Sequence, residues 1–124
     1  MVLALIVDDD QLMCEISERV LLSLKINTAI RTNSVDALLF CADKMPDLIL
    51  VDMKMPVMDG FSFIKIINKM TSCKRPKIIA CTGLHDVGTL NTLKSQGIEG
   101  YLVKPFDTDT LKEKVIKLNL RAYT

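Results

Sequence analysis

Two hydrophobic patterns alternate along the chain. Unbroken apolar runs, Val2 to Val7 (VLALIV) and Leu48 to Val51 (LILV), are what strands buried on both faces of a parallel sheet look like. Between the runs, apolar residues recur three and four positions apart, which marks one face of a helix. The first helix carries Leu12, Met13, Ile16, Val20, Leu21 and Leu24 inward, with Asp10 at its start. A short strand over Ile26 to Ile30 follows. Next comes a helix capped by Asn33 or Ser34, with Val35, Leu38, Leu39 and Ala42 inward, that ends at Pro46. The strand Asp47 to Asp52 leads through a loop to a helix capped by Asp59, with Phe63, Ile64, Ile67 and Met70 inward. A strand from Lys77 to Cys81 runs into Thr82-Gly83. A helix over about Asp86 to Ser95 is weakened by Gly88 and stopped by Gly97. Gly100 to Lys104 forms the fifth strand, Pro105 breaks it, and Asp107 or Thr108 caps a last helix with Leu111, Val115 and Leu118 inward. Five strand–helix alternations predict an α/β fold, a doubly wound parallel sheet with helices on both faces.

Composition narrows this picture without redirecting it. At 124 residues the sequence reads as a single domain over 1–124 with room for a proper core. Net charge is +1 with both signs interspersed, so bulk electrostatics offer no nucleic-acid or membrane surface. No window reaches the roughly 20 apolar residues of a membrane span, and the amino-terminal run is too short for a signal peptide. Cys14, Cys41, Cys73 and Cys81 form no C-x-x-C pair, and His85 is the single histidine, which argues against zinc. Reduced, mostly buried cysteines in a cytoplasmic protein are expected.

The candidate chemistry lies at the carboxyl ends of the predicted strands, where open α/β sheets place their functional crevice. Strand one ends in Asp8 and Asp9, strand three in Asp52, strand four in Thr82 and strand five in Lys104. Carboxylates about 4 Å apart repel by roughly 4 kcal/mol per pair at an effective dielectric near 20. A divalent cation removes that cost, and oxygen ligands without Cys or His favour Mg²⁺, Mn²⁺ or Ca²⁺. Carboxylate, hard cation, lysine and hydroxyl around a shallow crevice suit phosphoryl transfer to an aspartate.

The motifs D-D (Asp8-Asp9), D-x-x-M-P (Asp52 to Pro56), Thr82-Gly83 and Y-L-V-K-P-F (Tyr101 to Phe106) resemble those of a response-regulator receiver domain of two-component signalling. The resemblance covers about residues 2 to 121. It implies a flavodoxin-like sheet of order 2-1-3-4-5, with Asp52 as phosphoacceptor. It also implies Mg²⁺ held by Asp9 directly, by Asp8 largely through water, by Asp52 and by the main-chain carbonyl of Lys54. Thr82 would bond a phosphoryl oxygen, Lys104 would pair with it, and the Lys104-Pro105 bond would be cis. Tyr101 would turn inward when Thr82 moves. A histidine kinase or phosphotransfer protein would be the donor. The output would be a downstream protein, an output domain outside this chain, or a second copy, each read through the fourth helix, fifth strand and fifth helix. Direct nucleic-acid binding and membrane contact are not expected.

Plainer roles are weighed beside these. Asp10 reads as a helix-start residue, Asp59-Gly60 as turn and cap, Met53, Met55 and Met58 as packing, and His85 as a loop residue. Ile98, Val35 and Gly83 depart from the residues usual in the family at their positions, and none removes a chemical role. Lys54 and Leu84, two residues after Asp52 and Thr82, flank the path of attacking water in the resemblance, and apolar Leu84 is expected to slow phosphate loss. Two rivals remain: a Mg²⁺-dependent phosphatase with an aspartyl nucleophile, and a binding module that keeps the fold without phosphorylation. The phosphatase would want an acid two residues after the nucleophile, where Lys54 stands.

Overall fold

The computed structural model describes residues 2–70, 74–83 and 87–120. In chain order its elements are β1 (Leu3–Val7), α1 (Gln11–Ser23), β2 (Asn27–Arg31), α2 (Ser34–Asp43) and β3 (Leu48–Asp52). They continue with α3 (Gly60–Met70), β4 (Lys77–Thr82), α4 (Val87–Ser95), β5 (Gly100–Val103) and α5 (Thr108–Lys117). All strand pairings are parallel and the order is β2-β1-β3-β4-β5. This is the doubly wound flavodoxin-like sheet that the alternation and the resemblance lead one to expect. Cys73, Leu84, His85 and Asp86 lie outside the described residues, as do the expectations that fall on them.

Each strand splits its side chains between two cores, because successive residues point to opposite faces. Ala4, Ile6, Leu48, Leu50, Ile79 and Cys81 face one way, onto Leu21 of α1 and Leu111 and Val115 of α5. Leu5, Val7, Ile49, Val51, Ile78 and Ala80 face the other, onto Ala37 and Cys41 of α2, Phe63, Ile64 and Ile67 of α3 and Leu93 of α4. Double-sided burial is why β1 and β3 read as unbroken apolar runs. Cys14, Cys41 and Cys81 are buried free thiols, as expected.

The helix starts follow the sequence. Asp10 caps α1 by accepting from the Leu12 and Met13 amides, Asn33 caps α2, Asp107 caps α5, and Asp59 accepts from the Ser62 amide at the start of α3. Gly97, at φ 73°, closes α4 as predicted. Only Leu93 of α4 is fully buried. The far end of that helix is held by polar contacts: Gln96 donates to the Phe61 carbonyl, and Arg75 bonds Asn68, Glu99 and the Gln96 carbonyl.

Several inward faces differ from expectation. β2 begins at Asn27, one residue late, because Ile26 is taken by the turn after α1, its amide bonded to the Leu21 carbonyl. On α1 the sheet is met by Cys14, Ser17, Val20 and Leu21, and Leu12, two positions from Cys14 and so across the helix, is exposed. Met70, at the last turn of α3, is exposed. The largest departure is α2. Its inner face is Ser34, Ala37 and Cys41, with Leu38 half-buried, while Val35, Leu39 and Ala42 point to solvent. Small side chains let α2 lie close on β1, β2 and α3, and a helix apolar nearly all round gives periodicity no single face to choose.

Gly60 is required by a close approach. A Cβ there would lie 2.6 Å from Met53 Sδ, 2.7 Å from Met53 Cα and 2.9 Å from the Asp52 carbonyl oxygen. Two of the three atoms are backbone, so they cannot step aside. Gly60→Ala is therefore expected to destabilise the fold by about 1–3 kcal/mol, the usual cost of overpacking, measured by urea denaturation. An unchanged midpoint would show that the β3–α3 loop is not held as described.

Candidate functional site

The carboxyl edge of the sheet brings Asp8, Asp9 and Asp52 together. One carboxylate oxygen from each lies within 4.8 Å of the others. Asp8 and Asp52 are buried, at 6% and 7% exposure, because β1 and β3 are adjacent central strands. Asp9 faces solvent. Asp8 Oδ1 accepts from the Asp10 amide at 2.9 Å, and Asp52 Oδ1 accepts from the Lys54 amide at 3.2 Å. Beneath them, the Cys14 thiol donates to the Asp8 carbonyl at 3.3 Å.

Lys104 joins the two buried acids. Its Nζ lies 3.0 Å from Asp8 Oδ2 and 3.4 Å from Asp52 Oδ2. The Lys104-Pro105 peptide is cis, as the resemblance implies. The Lys104 amide donates to the Thr82 carbonyl at 2.7 Å, so β4 and β5 hold lysine and threonine side by side. Thr82 itself is buried at the end of β4.

Electrostatics show the strain in this arrangement. Burial pushes the Asp52 carboxyl above the usual range and the Asp8 charge adds to that; the Lys54 amide and Lys104 ammonium oppose both. For Lys104, burial favours the neutral amine, but the hydrogen bond and charge of Asp8, with Asp52, outweigh it and hold the ammonium more firmly. Cys81, paired in register with Asp52, is pushed up to about 12 by burial and stays a thiol.

Lys104 meets two of the three carboxylates, all donors are oxygen, and among the described residues no Cys or His belongs to the group. That set fits a hard divalent cation of the Mg²⁺ kind. Asp10, spent on its cap, does not belong to it. Met53 and Met55 are buried packing residues, as the plainer reading has it. Tyr101 is not brought to the acids: it pairs in register with Ala80, half-buried, with Lys114 Nζ 5.6 Å from its ring centroid. Sequence reasoning missed two supports of the site, the Cys14 thiol under Asp8 and the Ser34 hydroxyl, which donates to the Met58 carbonyl at 2.7 Å. Neither has a sequence signal, since both contacts depend on how helix meets loop.

Comparison with known proteins agrees with the geometry. The family model described as the response regulator receiver domain matches residues 4–116. A probable C4-dicarboxylate response regulator, DctR, of Halalkalibacterium halodurans is 36% identical over 110 residues, covering 87% of this chain and 47% of the relative. The DNA-binding transcriptional regulator NtrC of Escherichia coli is 33% identical over 106 residues, covering 84% and 22%. Among solved structures, the chemotaxis response regulator CheY4 of Vibrio cholerae superposes with a TM-score of 0.88 at 27% identity, covering 95% of this chain and 98% of that one. A receiver domain from Bermanella marisrubri gives 0.84 at 33% identity, covering 95% and 98%. The chain belongs to the response regulator receiver domain family. Its members are phosphoacceptor switches of two-component signalling, not metabolic enzymes; they typically use Mg²⁺ and interact with histidine kinases or phosphotransfer proteins. The chain spans less than half the length of these curated relatives. Among the described residues no helix is long and apolar enough to cross a membrane.

A raised folded-state pKa means that ionising Asp52 costs the folded protein more than the unfolded chain. The cost is absent below the unfolded carboxyl pKa, near 3.9, and grows as pH rises through the folded value. Asp52→Asn should therefore raise the melting temperature at pH 7 in the absence of divalent cations, and the gain should vanish near pH 3. A variant less stable than the parent at pH 7 would contradict this account of the site.

Proposed function

We propose that this chain is a switch that accepts a phosphoryl group on Asp52 from a phosphorylated histidine of a kinase or phosphotransfer protein. The observation that carries the reading is the Lys104 ammonium shared between the two buried carboxylates, Asp8 and Asp52. A carboxylate with a lysine ammonium beside it is a nucleophile with its counter-charge already in place.

Asp8, Asp9, Asp52 and the Lys54 carbonyl are the ligands assigned to Mg²⁺, with Mn²⁺ or a similar hard cation as substitute. Bound there, the cation neutralises charge on the phosphoryl oxygens during transfer. Asp52 attacks the phosphorus with a carboxylate oxygen, the bond to the donor imidazole nitrogen breaks, and the imidazole keeps that electron pair and takes up a proton. The product is an acyl phosphate. Lys104 Nζ then has a better partner than Asp8, a phosphoryl oxygen, and the Thr82 hydroxyl donates to another. Both residues draw on the same stretch of β4 and β5, since the Lys104 amide already binds the Thr82 carbonyl.

The resulting shift is a change of population between two arrangements, driven by contacts that the phosphoryl group makes in one of them. Tyr101 is the second switch residue, and the face of α4, β5 and α5 is the readout. α4 is suited to move at its start, because Leu93 is its one fully buried side chain and its polar anchors, through Gln96, lie at its far end. The partner at that face is a downstream protein, an output domain or a second copy. The chain acts in the cytoplasm as one domain over 1–124, catalysing only its own phosphorylation and dephosphorylation. The phosphatase alternative is disfavoured by Lys54, whose exposed side chain is no acid.

Acetyl phosphate with Mg²⁺ should phosphorylate the parent protein to a stoichiometry approaching one, read by intact mass. Asp52→Asn should incorporate less than a tenth of that, and EDTA should abolish labelling of the parent. Undiminished labelling of Asp52→Asn would refute the assignment.

A further inference from the structure

Tyr101 has a charged neighbour that the acceptor chemistry does not use. Gly100 and Tyr101 open β5, an edge strand, where successive side chains point to opposite faces of the sheet. Leu102 points into the core beneath α1 and α5, and Tyr101 packs against the core on the other face. Lys114 belongs to α5 and so starts from the first of these faces. At Gly100 no side chain blocks its way: a Cβ there would lie 4.0 Å from Lys114 Cδ. The lysine stem passes beside Gly100, and Nζ ends 5.6 Å from the centroid of the Tyr101 ring. The two residues meet at the open edge of the sheet, both half-buried.

Lys114 spends its charge on nothing else. Among the described residues no carboxylate pairs with it. α5 offers none at helical spacing, since Thr110 and Leu111 stand one turn before it and Lys117 and Leu118 one turn after. Glu99, next to Gly100, is taken by Arg75 and by the Ile78 amide. The Tyr101 hydroxyl makes no hydrogen bond to protein among the described residues, so packing and the ammonium hold the ring where it is. A cation over a tyrosine face is attracted by the ring quadrupole, the more so as the pair leaves water. A ring that has to move is held by a charge with no other partner.

We propose that Lys114 is a positioning residue that holds Tyr101 outward in the resting protein and so opposes the switch. The proposal rests on the reading of Asp52 as acceptor and Tyr101 as switch residue. Turning Tyr101 inward toward Thr82 takes its ring away from the ammonium, so the contact exists in one arrangement and not in the other. A contact made in one state alone shifts the balance toward that state by its own free energy. For a half-buried pair this is about two- to five-fold in the equilibrium constant, the equivalent of a cation–π attraction at a partly exposed site. By linkage, whatever removes the contact strengthens the binding of a phosphoryl mimic at Asp52 by the same factor. Lys114 acts through the ring and not on Asp52.

The test titrates beryllofluoride into the protein with Mg²⁺ and reads its apparent affinity, alongside the initial rate of labelling by acetyl phosphate. Lys114→Met keeps most of the stem and removes the charge, whereas Lys114→Arg keeps a cation. Lys112→Met, exposed two positions away and so across the helix, makes the same change of net charge and serves as control. Lys114→Met should tighten beryllofluoride binding about two- to five-fold and speed labelling by a similar factor. Lys114→Arg and Lys112→Met should match the parent. In a Tyr101→Leu background, Lys114→Met should change neither reading, since the ring it acts through is gone. Unchanged or weaker binding in Lys114→Met would overturn the proposal. So would equal tightening by Lys112→Met, or tightening that persists beside Tyr101→Leu, because the lysine would then act through net charge. A parent that takes neither beryllofluoride nor the acetyl phosphate label would strike the Asp52 reading, and the proposal would fall with it.

Discussion

The Lys104 ammonium, 3.0 Å from Asp8 and 3.4 Å from Asp52, is the interaction on which the rest of this structure depends. Two buried carboxylates at the ends of adjacent strands would otherwise repel by several kcal/mol or take up protons. The lysine directly follows β5, two strands away from β3, and its amide is tied to the Thr82 carbonyl. Asp52 and Thr82 end their strands and Asp8 and Lys104 are the first residues beyond theirs, so the edge of the sheet sets the positions of acid, hydroxyl and ammonium. A single lysine cannot balance three carboxylates, and the residual negative charge fits the pocket to a divalent cation. In the proposed function, a phosphoryl group arriving on Asp52 would change the partner that Lys104 prefers, and that preference would be the switch.

Much of this was legible in the sequence because strand ends are legible. Unbroken runs at Val2 to Val7 and Leu48 to Val51 announce strands buried on both faces. The first polar residue after each run is then automatically at the carboxyl edge, so Asp8, Asp52, Thr82 and Lys104 could be gathered without coordinates. Caps were equally plain, since Asp10, Asp59 and Asp107 sit where exposed helix amides need an acceptor.

Helix faces were less legible, for a physical reason. Periodicity finds the inner face only when the outer face is polar. In α2, Val35, Leu38, Leu39 and Ala42 form a convincing stripe, but close packing on the sheet selected the small residues Ser34, Ala37 and Cys41. The contacts that finish the site were also out of reach: Cys14 under Asp8, Ser34 on Met58 and the close approach at Gly60 all depend on tertiary packing. The face of α2 that periodicity chose is the one on which Val35 and Leu39 stand exposed.

A crystal structure with Mg²⁺ and beryllofluoride, a phosphoryl mimic, tests the central claim most directly. The account predicts beryllium bonded to an Asp52 carboxylate oxygen, the cation among Asp8, Asp9 and Asp52, and Lys104 Nζ on a fluorine with its Asp8 contact lengthened. Beryllofluoride absent from Asp52, with Lys104 still shared between Asp8 and Asp52, would contradict it.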